Sequence, residues 1–77
     1  MVRIIFLNKN HNLAFFHCLP EGKEDNSFDI GIDMIDEKIV FNTLNRNNAY
    51  VAHAAWKIIE FFKDNNHLPQ EITSVWV

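Results

Sequence analysis

Four histidines and one cysteine carry the strongest ligand and nucleophile chemistry in this chain: His11, His17, His53, His67 and Cys18. A metal site gathers imidazole or thiolate ligands at short, recurring spacings. The chain has no C-x-x-C, H-x-x-x-H or H-E-x-x-H, and His17 and Cys18 are neighbours in a β-rich run, which sends them to opposite faces of a strand. Nucleophilic catalysis needs Cys18 or a serine beside a base and an oxyanion donor, and Ser27 and Ser74 stand in no such context. With Gly22 and Gly31 the only glycines, a phosphate-cradling loop is hard to build. The expectation is a chain that is not an enzyme, with no metal and no cofactor.

Two constellations suit binding instead. Tyr50, His53, Trp56, Lys57 and Glu60 are i+3 and i+4 neighbours on a helix, an aromatic-bordered charged stripe. Such a stripe serves as a hot spot for a partner or, at Tyr50, His53 and Trp56, as a small-ligand pocket (a nucleotide, for example) in a homo-oligomer. Its ordinary alternative is a solvated face on which Lys57 and Glu60 pair while the rings seal the core edge. The second constellation is acidic. Between Glu21 and Glu37 lie seven acids against Lys23 alone, within a chain of net charge -3. Glu24, Asp25, Asp29, Asp33, Asp36 and Glu37 can present a row resembling a phosphate backbone, suited to a basic channel on a nucleic-acid-binding protein. Charge that guards an edge strand against mispairing explains the same residues more plainly.

The elements that position these residues are read from pattern. The chain has 77 residues, 48% hydrophobic and 13% aromatic, enough for one domain over 1–77 with little core to spare. One cysteine rules out an intrachain disulfide, and Ile4-Ile5-Phe6-Leu7 is too short for a signal peptide or a membrane span, so a cytoplasmic setting with no membrane partner is expected. An acidic balance excludes a generally basic footprint, hence direct nucleic-acid binding. Residues 2–7 and 13–19 are β-rich runs joined by the polar loop Asn8–Asn12, a first hairpin. Pro20 and Gly22 break the second run, and a charged loop extends to Ser27. From Phe28 the alternation is clean, with Phe28, Ile30, Ile32 and Met34 on one face and Asp29, Gly31 and Asp33 on the other. A turn near Asp36–Lys38 leads to a strand over 39–44.

Asn48 is placed to cap a helix over 49–64, ended by Asn65-Asn66 and Pro69. Its broad apolar half holds Val51, Ala52, Ala54, Ala55, Ile58, Ile59, Phe61 and Phe62, with Ala52 and Ala55 letting the helix axis approach a sheet, and Tyr50 and Trp56 fall at the borders. The tail 72–77 reads as a fifth strand whose Ile72, Val75 and Trp76 join the core rather than a carboxyl-terminal recognition motif. The order ββ-ββ-α-β predicts an α+β, two-layer domain: an antiparallel sheet of about five strands under one helix.

One helix covers one sheet face. The first hairpin nevertheless carries large apolar residues on both, Ile4 and Phe6 against Ile5 and Leu7, and Phe15 against Phe16. The second face is therefore expected to meet another copy, another protein or the loop 20–27. The pattern Tyr50-x-x-His53-Ala54, Phe61-Phe62, Pro69 and Trp76 resembles small uncharacterised proteins of bacteria and their mobile elements. That resemblance implies an accessory role in a phage or mobile element and assigns no residue a function. The reading is a small non-catalytic protein-binding module, an inhibitor of anti-defence type that occludes a partner surface.

Overall fold

The computed structural model describes residues 1–44 and 48–76. The two apolar runs at the start form β1 (Val2–Asn10) and β2 (Leu13–Pro20). This hairpin is longer than its apolar residues suggest. Asn8, Lys9 and Asn10 belong to the strand, and the chain turns at His11, which takes left-handed backbone with φ 56°. A bulge accounts for the difference: Phe6 pairs with Phe16 but Asn8 with Phe15, so Leu7 is the extra residue and the ladder resumes beyond it.

After the loop Glu21–Ser27, the alternating segment forms β3 (Phe28–Asp33) and a tight turn leads to β4 (Lys38–Asn42). The Asp33 carboxylate accepts the backbone N–H groups of Ile35 and Asp36, both at 3.0 Å, and Glu37 takes φ 56° to close the turn. β4 stops two residues short of expectation because the Asn42 side chain accepts the Leu44 N–H and bends the chain away. The helix α1 (Ala49–Asn65) begins at Asn48, whose side chain accepts the Tyr50 N–H at 2.8 Å. It ends at Asn66, in the left-handed region, whose N–H donates to Phe62 O. Asn45, Arg46 and Asn47, read as part of the loop before the helix, lie outside the described residues.

The chain then returns to add β5 (Glu71–Ser74) beside β1, giving the order β4-β3-β2-β1-β5 with every neighbouring pair antiparallel. The architecture is the expected α+β pair of layers. Val2, Ile4, Ala14, Phe16, Cys18, Phe28, Ile30 and Ile32 meet Val51, Ala54, Ala55 and Ile58 of α1 in one buried cluster. Each large side chain there contributes roughly 1.5–3 kcal/mol by leaving water. Ala55 faces the sheet as expected, but Ala52 is exposed and Ala54 takes its place at the close approach, being nearer the Val51–Ile58 stripe.

Two further expectations are corrected. Trp56 does not straddle the core edge; it is 59% exposed, because its position on the helix points well away from the Val51–Ile58 stripe. The fifth strand ends at Ser74, Val75 is 77% exposed, and Trp76 leaves the sheet to pack on the helix. Ser74 already pairs with Val2, the first residue of β1, so the ladder ends there. Val77 lies outside the described residues.

Candidate functional site

The sheet face turned away from α1 is built by the alternate residues of each strand: Ile5 from β1, Leu13, Phe15, His17 and Leu19 from β2, Asp29 and Gly31 from β3, and Phe41 from β4. Ile5, Leu13 and Phe15 are half-buried and Phe41 is 46% exposed. The Phe15 and Phe41 rings meet edge to face across Gly31, with centroids 6.2 Å apart. The absent side chain at Gly31 is what admits Phe15, since a Cβ there would stand 2.7 Å from the ring.

His17 sits at one end of this face between two carboxylates. Its Nδ1 is 2.6 Å from Asp29 Oδ1 on β3 and its Nε2 is 3.3 Å from Glu24 Oε2 on the loop. The hydrogen bond with Asp29 is the main cause that raises the His17 pKa; partial burial opposes it and Glu24 adds to it. Asp29 is itself fixed, since its N–H donates to Thr43 Oγ1 and its carbonyl accepts the Thr43 N–H.

The acidic residues singled out in the sequence are distributed rather than aligned. Asp29 and Glu24 converge on His17; Asp33 is engaged by the turn N–H groups; Asp36 lies 3.9 Å from Lys38. Glu37 leaves the group altogether and bonds Lys63 of α1 at 3.0 Å. Asp25 lines a cleft of about 340 Å³ with Pro20, Lys23, Leu44, Asn48 and Tyr50. Glu21 also lines that cleft, where it accepts from the Met1 α-amino group at 2.6 Å and from the Tyr50 hydroxyl at 3.1 Å. Both contacts hold its carboxyl below the usual range, the amino group most.

The helix stripe is divided too. His53 stacks on Trp76 at 3.9 Å with the rings 5° from parallel, and Tyr50 meets the same Trp76 ring edge to face at 5.5 Å. Lys57 and Glu60 pair at 3.6 Å. Trp56 stands apart, in a second cleft of about 320 Å³ with Glu37, Ile59, Glu60, Lys63 and Asp64. Tyr50 and Trp56 thus line different clefts. The remaining chemistry is dispersed: His11 in a turn, Cys18 in the core, His67 against Phe61 at the helix end. Among the described residues no three of His, Cys, Asp and Glu are grouped to hold a metal ion, and no helix is long and apolar enough to cross a membrane.

The sequence reading weighed His17 only as a metal ligand and did not join it to Asp29, or Phe15 to Phe41. The alternation placed each residue on a face, but partnership across strands needs the register, which a pattern of apolar residues does not state. Compared with models of protein families, with curated proteins and with solved structures, the chain matches none.

Proposed function

We propose that this chain is a non-catalytic binding protein that lays its second sheet face against another protein and occludes the surface it covers. The observation that supports this reading is the apolar strip of Ile5, Leu13, Phe15 and Phe41 on the face without a helix. Charge indicates the kind of partner. Asp29 and Asp33 lie on that face, Glu24 reaches it at His17 and Asp36 follows in the turn after β3, in a segment with seven acids and one base, so the complementary surface is apolar at its centre and basic at its rim. A protein surface that otherwise holds a nucleic-acid backbone has such a rim, and covering it is inhibition.

The test is affinity capture from a bacterial lysate with the wild-type chain, Phe41→Ser and the double variant Asp33→Asn/Asp36→Asn, after light scattering has given the mass of each. A monomer whose captured protein is lost with Phe41→Ser and weakened by added salt or by the double variant agrees with the reading. Capture that survives both substitutions, or a stable dimer that buries Phe41, overturns it.

A further inference from the structure

His17 touches a carboxylate with each ring nitrogen, Asp29 at 2.6 Å and Glu24 at 3.3 Å. A carboxylate can only accept, and a neutral imidazole has a single N–H. Both contacts are hydrogen bonds at once only when the ring carries two protons and a positive charge. When one proton leaves, the ring keeps its N–H toward the shorter partner, and the Nε2 lone pair is left facing the Glu24 carboxylate.

The two partners are anchored very differently. Asp29 lies in a strand paired on both sides and is tied at its backbone to Thr43. Glu24 has a side chain 77% exposed, on a loop held locally by turn bonds from Gly22 N to Leu19 O, Lys23 N to Pro20 O and Ser27 N to Glu24 O. Loss of the proton therefore costs the Glu24 contact and spares the Asp29 one. Leu19, two residues before the loop, is on the same face as His17 and 5% exposed although it is not part of the core beneath the helix, and its carbonyl accepts the Gly22 N–H.

We infer that the loop Glu21–Ser27 is a flap over one end of the open sheet face, latched by the doubly protonated ring of His17 and released when that ring becomes neutral. Among the described residues, the groups around the latch come from three places. Ile5 faces His17 from β1, with Arg3 on the same face paired to Glu71 of β5 at 2.9 Å; β3 supplies Asp29, with Asp33 further along; the loop supplies Glu24 between Lys23 and Asp25. Glu21 pins the near end of the loop to Met1 and Tyr50, so the movable part is 23–27. Release frees the loop from His17 and opens the end of the face on which His17 and Leu19 lie. The bearing on partner binding rests on the docking reading above, whereas the latch itself does not.

Nuclear magnetic resonance of the free protein between pH 5 and 9 tests the latch. The amides of Leu19 and of residues 23–27 should shift with the same midpoint as the His17 ring. In Glu24→Gln the side-chain amide can donate to the neutral ring or accept from the charged one, so the loop should stay closed and its amides lose that midpoint. In Glu24→Ala the loop should be open at both ends of the range. Loop amides that ignore the His17 midpoint, or that follow it undiminished in both variants, overturn the proposal. Partner capture that fails to rise with pH while the free protein behaves as expected counts against the docking reading and leaves the latch standing.

Discussion

The ring of Phe15 lies over the backbone of Gly31, so close that a Cβ built there would stand 2.7 Å from Cε1 and 2.9 Å from Cδ1. The same Cβ would meet Phe41 Cβ at 3.1 Å. Glycine in a strand interior is ordinarily a weakness; here it is the seat of an aromatic ring between two neighbouring strands. Gly31→Ala should lift the Phe15 ring, separate it from Phe41 and destabilise the fold by about 1–3 kcal/mol in urea unfolding. An alanine variant as stable as wild type would mean that the ring has other room.

Trp76 is the residue that ties the tail to the helix, through its stack on His53 and its edge contact with Tyr50. Trp76→Ala should destabilise by about 1–2 kcal/mol and free the backbone after Ser74, seen as fast amide exchange at Val75. Exchange at Val75 that does not change would show that the stack does not hold the tail.

Cys18 is wholly buried in the core, and burial pushes its thiol up to about 12. Thiolate is the reactive form, so both access and ionisation are against it. The folded protein at pH 8 should resist an aromatic disulfide reagent and react fully in guanidinium. Prompt labelling without denaturant would point to frequent opening of the sheet.

The His17 contacts also make stability depend on pH. A group whose pKa is raised on folding contributes fully below its unfolded value, about 6.5, and that contribution is lost as pH rises through the higher folded value. The unfolding free energy, read from urea titrations, should therefore be higher at pH 6 than at pH 9, by less than about 1 kcal/mol since the pair with Glu24 is solvent-exposed. His17→Gln should flatten this difference. An unfolding free energy that rises toward pH 9 in wild type would contradict the assignment.

How much of this was legible can be judged residue by residue. The run from Phe28 to Asp33 alternates strictly and could be placed on its two faces from periodicity alone, as could the capping of α1 by Asn48. The bulge at Leu7 could not, because polar Asn8, Lys9 and Asn10 look like a loop until the register shows them paired with β2. Trp76 was legible as an apolar residue and read as part of the fifth strand, but not as one that leaves the sheet to stack on His53 of the helix.

Of the candidate site, the apolar residues on both faces of the first hairpin and the acidity of 21–37 were plain in the chain itself. Local pattern determined the elements, their inner and outer faces and the two-layer arrangement, because a period of 2 or 3.6 residues is a property of neighbours in sequence. Which acid meets which base was decided only by the tertiary structure. His17 joins Asp29 through strand register and Glu24 through the path of a loop, while Glu37 joins Lys63 across the gap between sheet and helix. Those pairings depend on distances between segments far apart in sequence, which only the packed sheet and helix set.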